Sequence, residues 1–187
     1  MSTPRQARPA APGSQRQAET EAMIRVDHAG EYGAVRIYQG QLAVMRTRGE
    51  SRGAAEAIAH MAEQERHHLE TFDGLVNARR VRPTALEPVW RVAGFALGAA
   101  TAFMGEKTAM ACTAAVEEVI DEHYAQQIAK LDHDPALKSV LETFRADEQA
   151  HRDEALAHGA EDAPGYRLLS GAIRAGCRMA IKLSERI

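Results

Sequence analysis

Two glutamates and two histidines lie where the core of this chain would otherwise be purely apolar, and they constrain its fold more than any other feature. The alternating three- and four-residue spacing that marks one buried helix face gives Ile58, Met61, Glu65, His68, Phe72, Leu75 in one segment. In a later segment it gives Leu137, Leu141, Phe144, Glu148, His151, Ala155. Each holds a Glu-x-x-His at the same depth of an apolar stripe. Two further segments read Ile24, His28, Glu31, Val35, Tyr38, Leu42, Met45 and Met110, Ala114, Glu117, Asp121, Tyr124, Ile128, Leu131. Each of these contributes one glutamate with a tyrosine seven residues later. The chain thus reads as two copies of one helical hairpin, a repeat visible only in its spacing. The stripe also separates neighbours, because Glu117 shares a face with Met110, Ile128 and Leu131 whereas Glu118 falls with Glu122, Ala125 and Ala129.

Four long periodic segments follow from these stripes: about Ala18 to Arg46, Gly53 to Ala78, Lys107 to Leu131 and Pro135 to His158. Arg48-Gly49-Glu50-Ser51 separates the first two, and Asp132-His133-Asp134-Pro135 precedes the last, where proline suits the first helical turn. Both links are short, so each pair is expected to form an antiparallel hairpin. Ala, Leu, Glu, Gln and Arg recur while aromatics make up only 5%, which favours helix over sheet. The expected class is all-α, a four-helix bundle in one domain over residues 19–187. Residues 1–18, with Pro4, Pro9, Pro12 and Arg5, Arg8, Arg16, are expected to be a disordered basic tail.

An uncompensated carboxylate in a bundle core costs several kcal/mol or takes up a proton, so four together call for positive charge. Two divalent cations supply it. Residues three apart share a helix face, so each Glu-x-x-His can present a bridging oxygen and an imidazole nitrogen. Glu31, Glu65, His68, Glu117, Glu148 and His151 then form the ferritin-like di-iron arrangement of four carboxylates and two imidazoles. Oxygen and imidazole donors suit iron or manganese, and the lack of thiolates argues against a closed structural zinc site. The competing reading is that the faces are misphased and the acids pair with Arg36, Arg66, Arg145 or Arg152 on solvated surfaces. His28, Asp121 and His123 lie near the ligand level as candidates to orient the ligands. Tyr38 and Tyr124 read as packed aromatics with hydrogen-bonded hydroxyls.

Two apolar appendages complete the chain. Residues 86–106 are rich in Val, Phe, Leu, Ala and Gly, and read as an interfacial or substrate-lining crossover helix. Residues 166–187 separate Leu168, Leu169, Ile173, Met179, Ala180 and Leu183 from Arg167, Arg174, Arg178, Lys182 and Arg186. That is a basic amphipathic helix, suited equally to an anionic membrane surface and to packing on the bundle or a second subunit. The longest uncharged run, Val92 to Gly105, is shorter than the roughly 20 residues of a spanning helix. A net charge of −3 predicts no nucleic-acid partner. Cys112 and Cys177 stand far apart in apolar segments and read as reduced thiols of a cytosolic protein.

Four stretches carry a family resemblance: His-Ala-Gly-Glu-Tyr-Gly-Ala at His28 to Ala34, Glu-Gln-Glu-Arg-His-His-Leu at Glu63 to Leu69, Ala-Cys-Thr-Ala-Ala-Val-Glu-Glu at Ala111 to Glu118, and Cys-Arg-Met-Ala-Ile-Lys-Leu-Ser-Glu-Arg at Cys177 to Arg186. Together they resemble the demethoxyubiquinone hydroxylase family of ubiquinone biosynthesis, over nearly everything after the basic tail. Carried over by motif, that family's iron ligands fall on the same six residues the stripes select. The resemblance implies an oxygen-dependent di-iron mono-oxygenase, peripheral to the membrane and on the cytoplasmic face if bacterial, that hydroxylates the ring of a polyprenylated demethoxyubiquinol. It implies two iron ions, dioxygen as cosubstrate, and electrons from NADH or from the quinol itself. His123 and Tyr124 match a His-Tyr pair that the family links to substrate or electron transfer. A second copy of the chain and accessory proteins of ubiquinone biosynthesis are further partners compatible with it. The competing functions are a ferritin-like ferroxidase or peroxidase, a hydroxylase of a modified tRNA nucleoside, and a non-enzymatic membrane-binding helical protein.

Overall fold

A computed structural model of the chain describes residues 12–48 and 52–186. Among these are six α-helices: α1 (Pro12–Arg48), α2 (Arg52–Arg79), α3 (Glu87–Phe103), α4 (Glu106–Ile128), α5 (Pro135–Ala157) and α6 (Tyr166–Ser184). A single 3-10 turn, Ala160–Asp162, lies between α5 and α6. The expected bundle helices are α1, α2, α4 and α5, the apolar crossover is α3, and the amphipathic C-terminal segment is α6. The all-α, ferritin-like bundle is the observed architecture.

One boundary differs. The segment 1–18 was expected to be a disordered tail, yet α1 begins at Pro12. Proline is tolerated in a first turn, and the residues after it are held by hydrogen bonds one turn apart, from Gln15 to Glu19 at 3.1 Å and from Gln17 to Glu21 at 3.0 Å. Residues 1–11 of the expected tail lie outside the described residues.

Chain direction follows from which residues share a core. Ile24 packs with Phe72 and Val76, while Tyr38 and Met45 pack with Ala54, Ile58 and Met61, so α1 and α2 run antiparallel. By the same logic, Tyr124 and Leu131 meet Leu137 and Leu141 while Met110 and Ala114 meet Ala155, making α4 and α5 the second antiparallel hairpin. Every bundle helix passes through both apolar clusters, and between them each carries its glutamate or Glu-x-x-His. Burial of each large apolar side chain in these clusters contributes about 1.5–3 kcal/mol, and this is what holds a layer of acids between them.

Local chemistry fixes the hairpin ends. Asp134 caps α5, accepting from the Leu137 amide at 3.2 Å, with Pro135 next in the chain. The same carboxylate pairs with Arg79 at the end of α2, and that guanidinium holds it below the usual carboxylate range. One residue therefore ties the two hairpins together at one end of the bundle.

The crossover helix α3 lies along α1 at unusually close range. A Cβ placed on Gly98 would stand 1.9 Å from the Ile37 carbonyl oxygen, one on Gly94 2.9 Å from that of Gly33, and one on Gly40 2.2 Å from that of Phe95. Only glycine admits this backbone-to-backbone approach. Helix α6 packs mainly on α4. Arg174 pairs with Glu118 at 2.8 Å, Arg178 with Glu122 at 2.9 Å, and the Trp90 indole donates to Ser184 at 3.0 Å. Two of the five basic residues of the segment are thus turned onto the bundle.

Candidate metal centre

The structure brings all six stripe-selected side chains together. Glu31, Glu65, His68, Glu117, Glu148 and His151 are each at most 2% exposed. They fall into two overlapping groups, Glu31, Glu65, His68, Glu148 and Glu65, Glu117, Glu148, His151, in each of which one ligand atom per residue lies within 4.8 Å of the others. Glu65 and Glu148 belong to both. The two groups are adjacent, and to the shared pair each adds one glutamate and one histidine.

The imidazoles are aimed inward. His68 Nδ1 stands 3.3 Å from Glu148 Oε1 and 3.6 Å from Glu31 Oε2. His151 Nδ1 stands 3.0 Å from Glu65 Oε1. Their outer nitrogens are engaged elsewhere, His68 Nε2 with Asp147 at 3.1 Å and His151 Nε2 with Gln64 at 3.1 Å. Both partners accept, so Nε2 donates outward and Nδ1 is the nitrogen that faces the cluster. Across the bundle Tyr38 donates to Glu117 Oε1 at 2.5 Å and Tyr124 donates to Glu31 Oε1.

What remains is a set of buried acceptors facing one another without hydrogen-bond partners: Glu31 Oε2, Glu117 Oε2, both carboxylate oxygens of Glu65 and of Glu148, and Nδ1 of both histidines. Buried polar atoms are otherwise almost always paired. The electrostatics of the cluster carry the same demand for positive charge. Burial pushes Glu65 well above the ordinary carboxylate range, and Glu148, Glu31 and Glu117 push it further. Burial and then Glu148 do the same to Glu117, and burial raises Glu148 as well. Burial opposes a charge on His68, but the Glu148 and Glu31 carboxylates facing its ring outweigh this and raise it to about 11. Burial lowers His151. Without cations the cluster gathers protons, and two divalent ions would satisfy every one of these atoms, so the donor set fits a di-metal carboxylate site.

The misphased alternative is not what the structure contains. Arg66 pairs with Glu63 and Glu70, Arg145 with Asp121, Arg152 with Asp153, and Arg36 donates to Gln39. Glu118 binds Arg174 while Glu117 faces the cluster. Of the candidate orienting residues, His28 turns to Asp73 at 2.9 Å and Asp121 to Arg145 and Gln149. His123 faces Asp27 at 3.3 Å and Gln127 at 2.8 Å. Among the described residues, none of the three forms a hydrogen bond or ion pair with a residue of the six. The residues that do orient the imidazoles, Gln64 and Asp147, went unread, although each immediately precedes the glutamate of a Glu-x-x-His.

An apolar cavity of about 560 Å³ lies between α1, α3, α4 and α6. Gly30 and Val116, which adjoin Glu31 and Glu117 in the chain, line it at one side, and Trp90, Leu97, Ile173 and Met179 line it elsewhere. A Cβ on Gly30 or Gly33 would meet nothing within 4 Å, so these two glycines leave part of that space open.

Comparison with known proteins identifies the group to which this architecture belongs. The family model described as ubiquinone biosynthesis protein COQ7 matches residues 18–184. The 3-demethoxyubiquinol 3-hydroxylase of Rhodospirillum rubrum is 55% identical over 168 residues, covering 89% of this chain and 78% of that protein. The mitochondrial NADPH-dependent 3-demethoxyubiquinone 3-hydroxylase of Mus musculus is 53% identical over 175 residues, covering 90% and 78%. The mitochondrial 5-demethoxyubiquinone hydroxylase of Saccharomyces cerevisiae is 39% identical over 183 residues, covering 89% and 78%. With the bundle, the buried Glu/His cluster and these matches together, the chain belongs to the COQ7 family of ubiquinone biosynthesis proteins.

Proposed function

We propose that this protein is a 3-demethoxyubiquinol 3-hydroxylase, an oxygen-dependent enzyme of ubiquinone biosynthesis. The observation that carries this reading is a buried, partnerless Glu/His cluster together with an apolar cavity whose lining includes Gly30 and Val116, the chain neighbours of Glu31 and Glu117. Glu31, Glu65, His68, Glu117, Glu148 and His151 would hold two iron ions, with Glu65 and Glu148 shared between them. When bound, the iron pair supplies dioxygen activation and electron transfer.

The chain's own residues do the rest. Exclusion of solvent around the six side chains protects reactive species from side reactions. Tyr38 and Tyr124 hold Glu117 and Glu31 at fixed angles, and Asp147 and Gln64 fix the imidazole rings. The cavity takes the quinol, its walls of Ile37, Leu97, Ile120 and Ile173 matching an aromatic head and prenyl chain. In balance, a ring C–H, dioxygen, two electrons and two protons give a ring C–OH and water. A nicotinamide or the quinol itself supplies the electrons; the name of the mouse relative assigns NADPH to that protein.

A lipid-soluble substrate calls for a membrane surface, and the exposed apolar side chains of α3 and α6 support one. Val92, Phe103, Met104, Leu168 and Met179 are each more than 60% exposed, beside the exposed basic residues Arg167 and Lys182. Patches of this kind mark interaction sites. No helix among the described residues is long and apolar enough to cross a membrane, so the proposed association is peripheral. These appendages also favour the hydroxylase over a ferroxidase, which needs the six ligands but no apolar route.

The deciding experiment incubates iron-loaded protein with a demethoxyquinol, a reductant and isotopically labelled dioxygen, and analyses the quinone by mass spectrometry. One labelled oxygen in the product, lost in Glu148→Ala, is the expected result. Rapid ferrous oxidation or peroxide consumption without labelled quinone would replace the hydroxylase with a ferroxidase or peroxidase.

A further inference from the structure

Two features of the cluster correspond between the two halves of the chain. Each single glutamate accepts from the tyrosine of the other hairpin, and the two Glu-x-x-His glutamates are shared. The partners of the outer histidine nitrogens break the match. His68 Nε2 meets the Asp147 carboxylate and His151 Nε2 meets the Gln64 amide oxygen, both at 3.1 Å. Asp147 and Gln64 are positional equivalents, each preceding the glutamate of its own motif and reaching across to the histidine of the other. The geometry is the same and the charge is not.

A carboxylate accepting the outer N–H of an imidazole draws that proton toward itself and makes the opposite nitrogen a better electron-pair donor. A neutral amide oxygen does this more weakly, because hydrogen bonds to ionised acceptors are about twice as strong. Asp147 is 36% exposed, and its only ion-pair partner among the described residues is His68. Solvent reduces the size of its effect but leaves the sign unchanged. The ring neighbours differ as well, His68 stacking on Phe144 while Tyr38 meets His151 edge-on, but these aromatic contacts are uncharged, so Asp147 is the charged difference beside the two imidazoles.

We propose that the two metal positions are therefore unequal: the position formed with Glu31 and His68 binds its ion more tightly and fills first, and Asp147 is the positioning residue that makes it so. This rests on the di-metal reading above. It divides the site into a tight and an exchangeable half through the charge of one residue, Asp147 where the other motif has Gln64.

The test uses cobalt(II) as a probe on the metal-free full chain, followed by proton NMR of the hyperfine-shifted imidazole N–H resonances and by calorimetric titration. In the wild type one shifted N–H resonance grows to completion with the first equivalent and a second appears only with the next. The first is missing in His68→Gln and the second in His151→Gln. Asp147→Asn, isosteric and half-exposed, makes the two resonances grow together and weakens the tighter constant about tenfold or more. Gln64→Glu independently tightens the second position. The proposal is overturned if the wild-type resonances grow in parallel, if the His151 resonance comes first, or if Asp147→Asn leaves both constants unchanged while two ions still bind. A wild-type protein that binds no cobalt and shows no shifted resonance would overturn the di-metal reading itself, an outcome distinct from the other three.

Discussion

The Tyr38 hydroxyl donates to Glu117 Oε1 across the bundle at 2.5 Å. Its counterpart Tyr124 does the same for Glu31, so the single glutamate of each hairpin is steadied by the other hairpin. Removing the hydroxyl leaves a fully buried carboxyl oxygen without its donor. Tyr38→Phe is expected to destabilise the protein by about 1–3 kcal/mol in denaturant melts, with two metal ions still bound. An unchanged midpoint would show that the bond contributes nothing to folding.

Glycines on α1 and α3 are expected to respond in opposite directions. Gly33→Leu points a side chain into open cavity space and replaces a residue that is about 1 kcal/mol less favourable than Ala in a helix. The protein should keep its metal and its stability while KM for the quinol rises tenfold or more. Gly98→Ala places a methyl against the Ile37 carbonyl and should cost about 1–3 kcal/mol. Thermal melts and steady-state kinetics on the pair separate cavity filling from helix displacement.

Stability of the metal-free protein should fall as pH rises from 7 to 9. Glu65, Glu117 and Glu148 are all raised by burial, and His68 is raised from 6.5 to about 11. Each raised group binds more protons folded than unfolded, so its contribution is fully present below the unfolded value and is lost as pH climbs through the folded one. His151 is shifted the other way, but its effect ends at the unfolded histidine value, below this window. Saturating divalent metal should reverse the trend, since binding needs deprotonated ligands and releases protons. Melting temperatures across that range, with and without metal, check both signs.

Leu168 and Met179 are 82% and 61% exposed on α6, so acidic replacements there cost the fold little. The double variant Leu168→Glu/Met179→Glu should lose flotation with anionic liposomes while retaining its helical circular dichroism. Flotation equal to the wild type would remove α6 as the anchor.

The bundle and all six cluster residues were legible because helical spacing fixes which residues share a face, and that alone selected Glu117 over Glu118. Spacing says nothing about how two helices are offset along one another. For that reason His28 and Asp121, at the right level on their own helices, turn out to serve Asp73 and Arg145. For the same reason Gln64 and Asp147 were missed, since their role exists only across α2 and α5. The glycines that seat α3 on α1 were equally silent, because close approach requires knowing the neighbour. Residues 12–18 were read as tail from their proline and arginine content, which says less about order than the one-turn hydrogen bonds observed there.

The backbone contact between α3 and α1 has a mechanical consequence for the cavity they share with α4 and α6. With Gly98 and Gly40 leaving no slack, that wall is a fixed jaw. The opposite jaw, α6, is clamped by two partly exposed ion pairs and one indole hydrogen bond, of which each exposed pair contributes at most about 1 kcal/mol. The α6 wall, which also packs through Leu169 and Ile173, is then the one expected to give, and amide exchange should be faster along α6 than along α3. The vice opens on the side that carries the exposed apolar residues Leu168 and Met179, so the surface proposed to meet the lipid is also the jaw that yields.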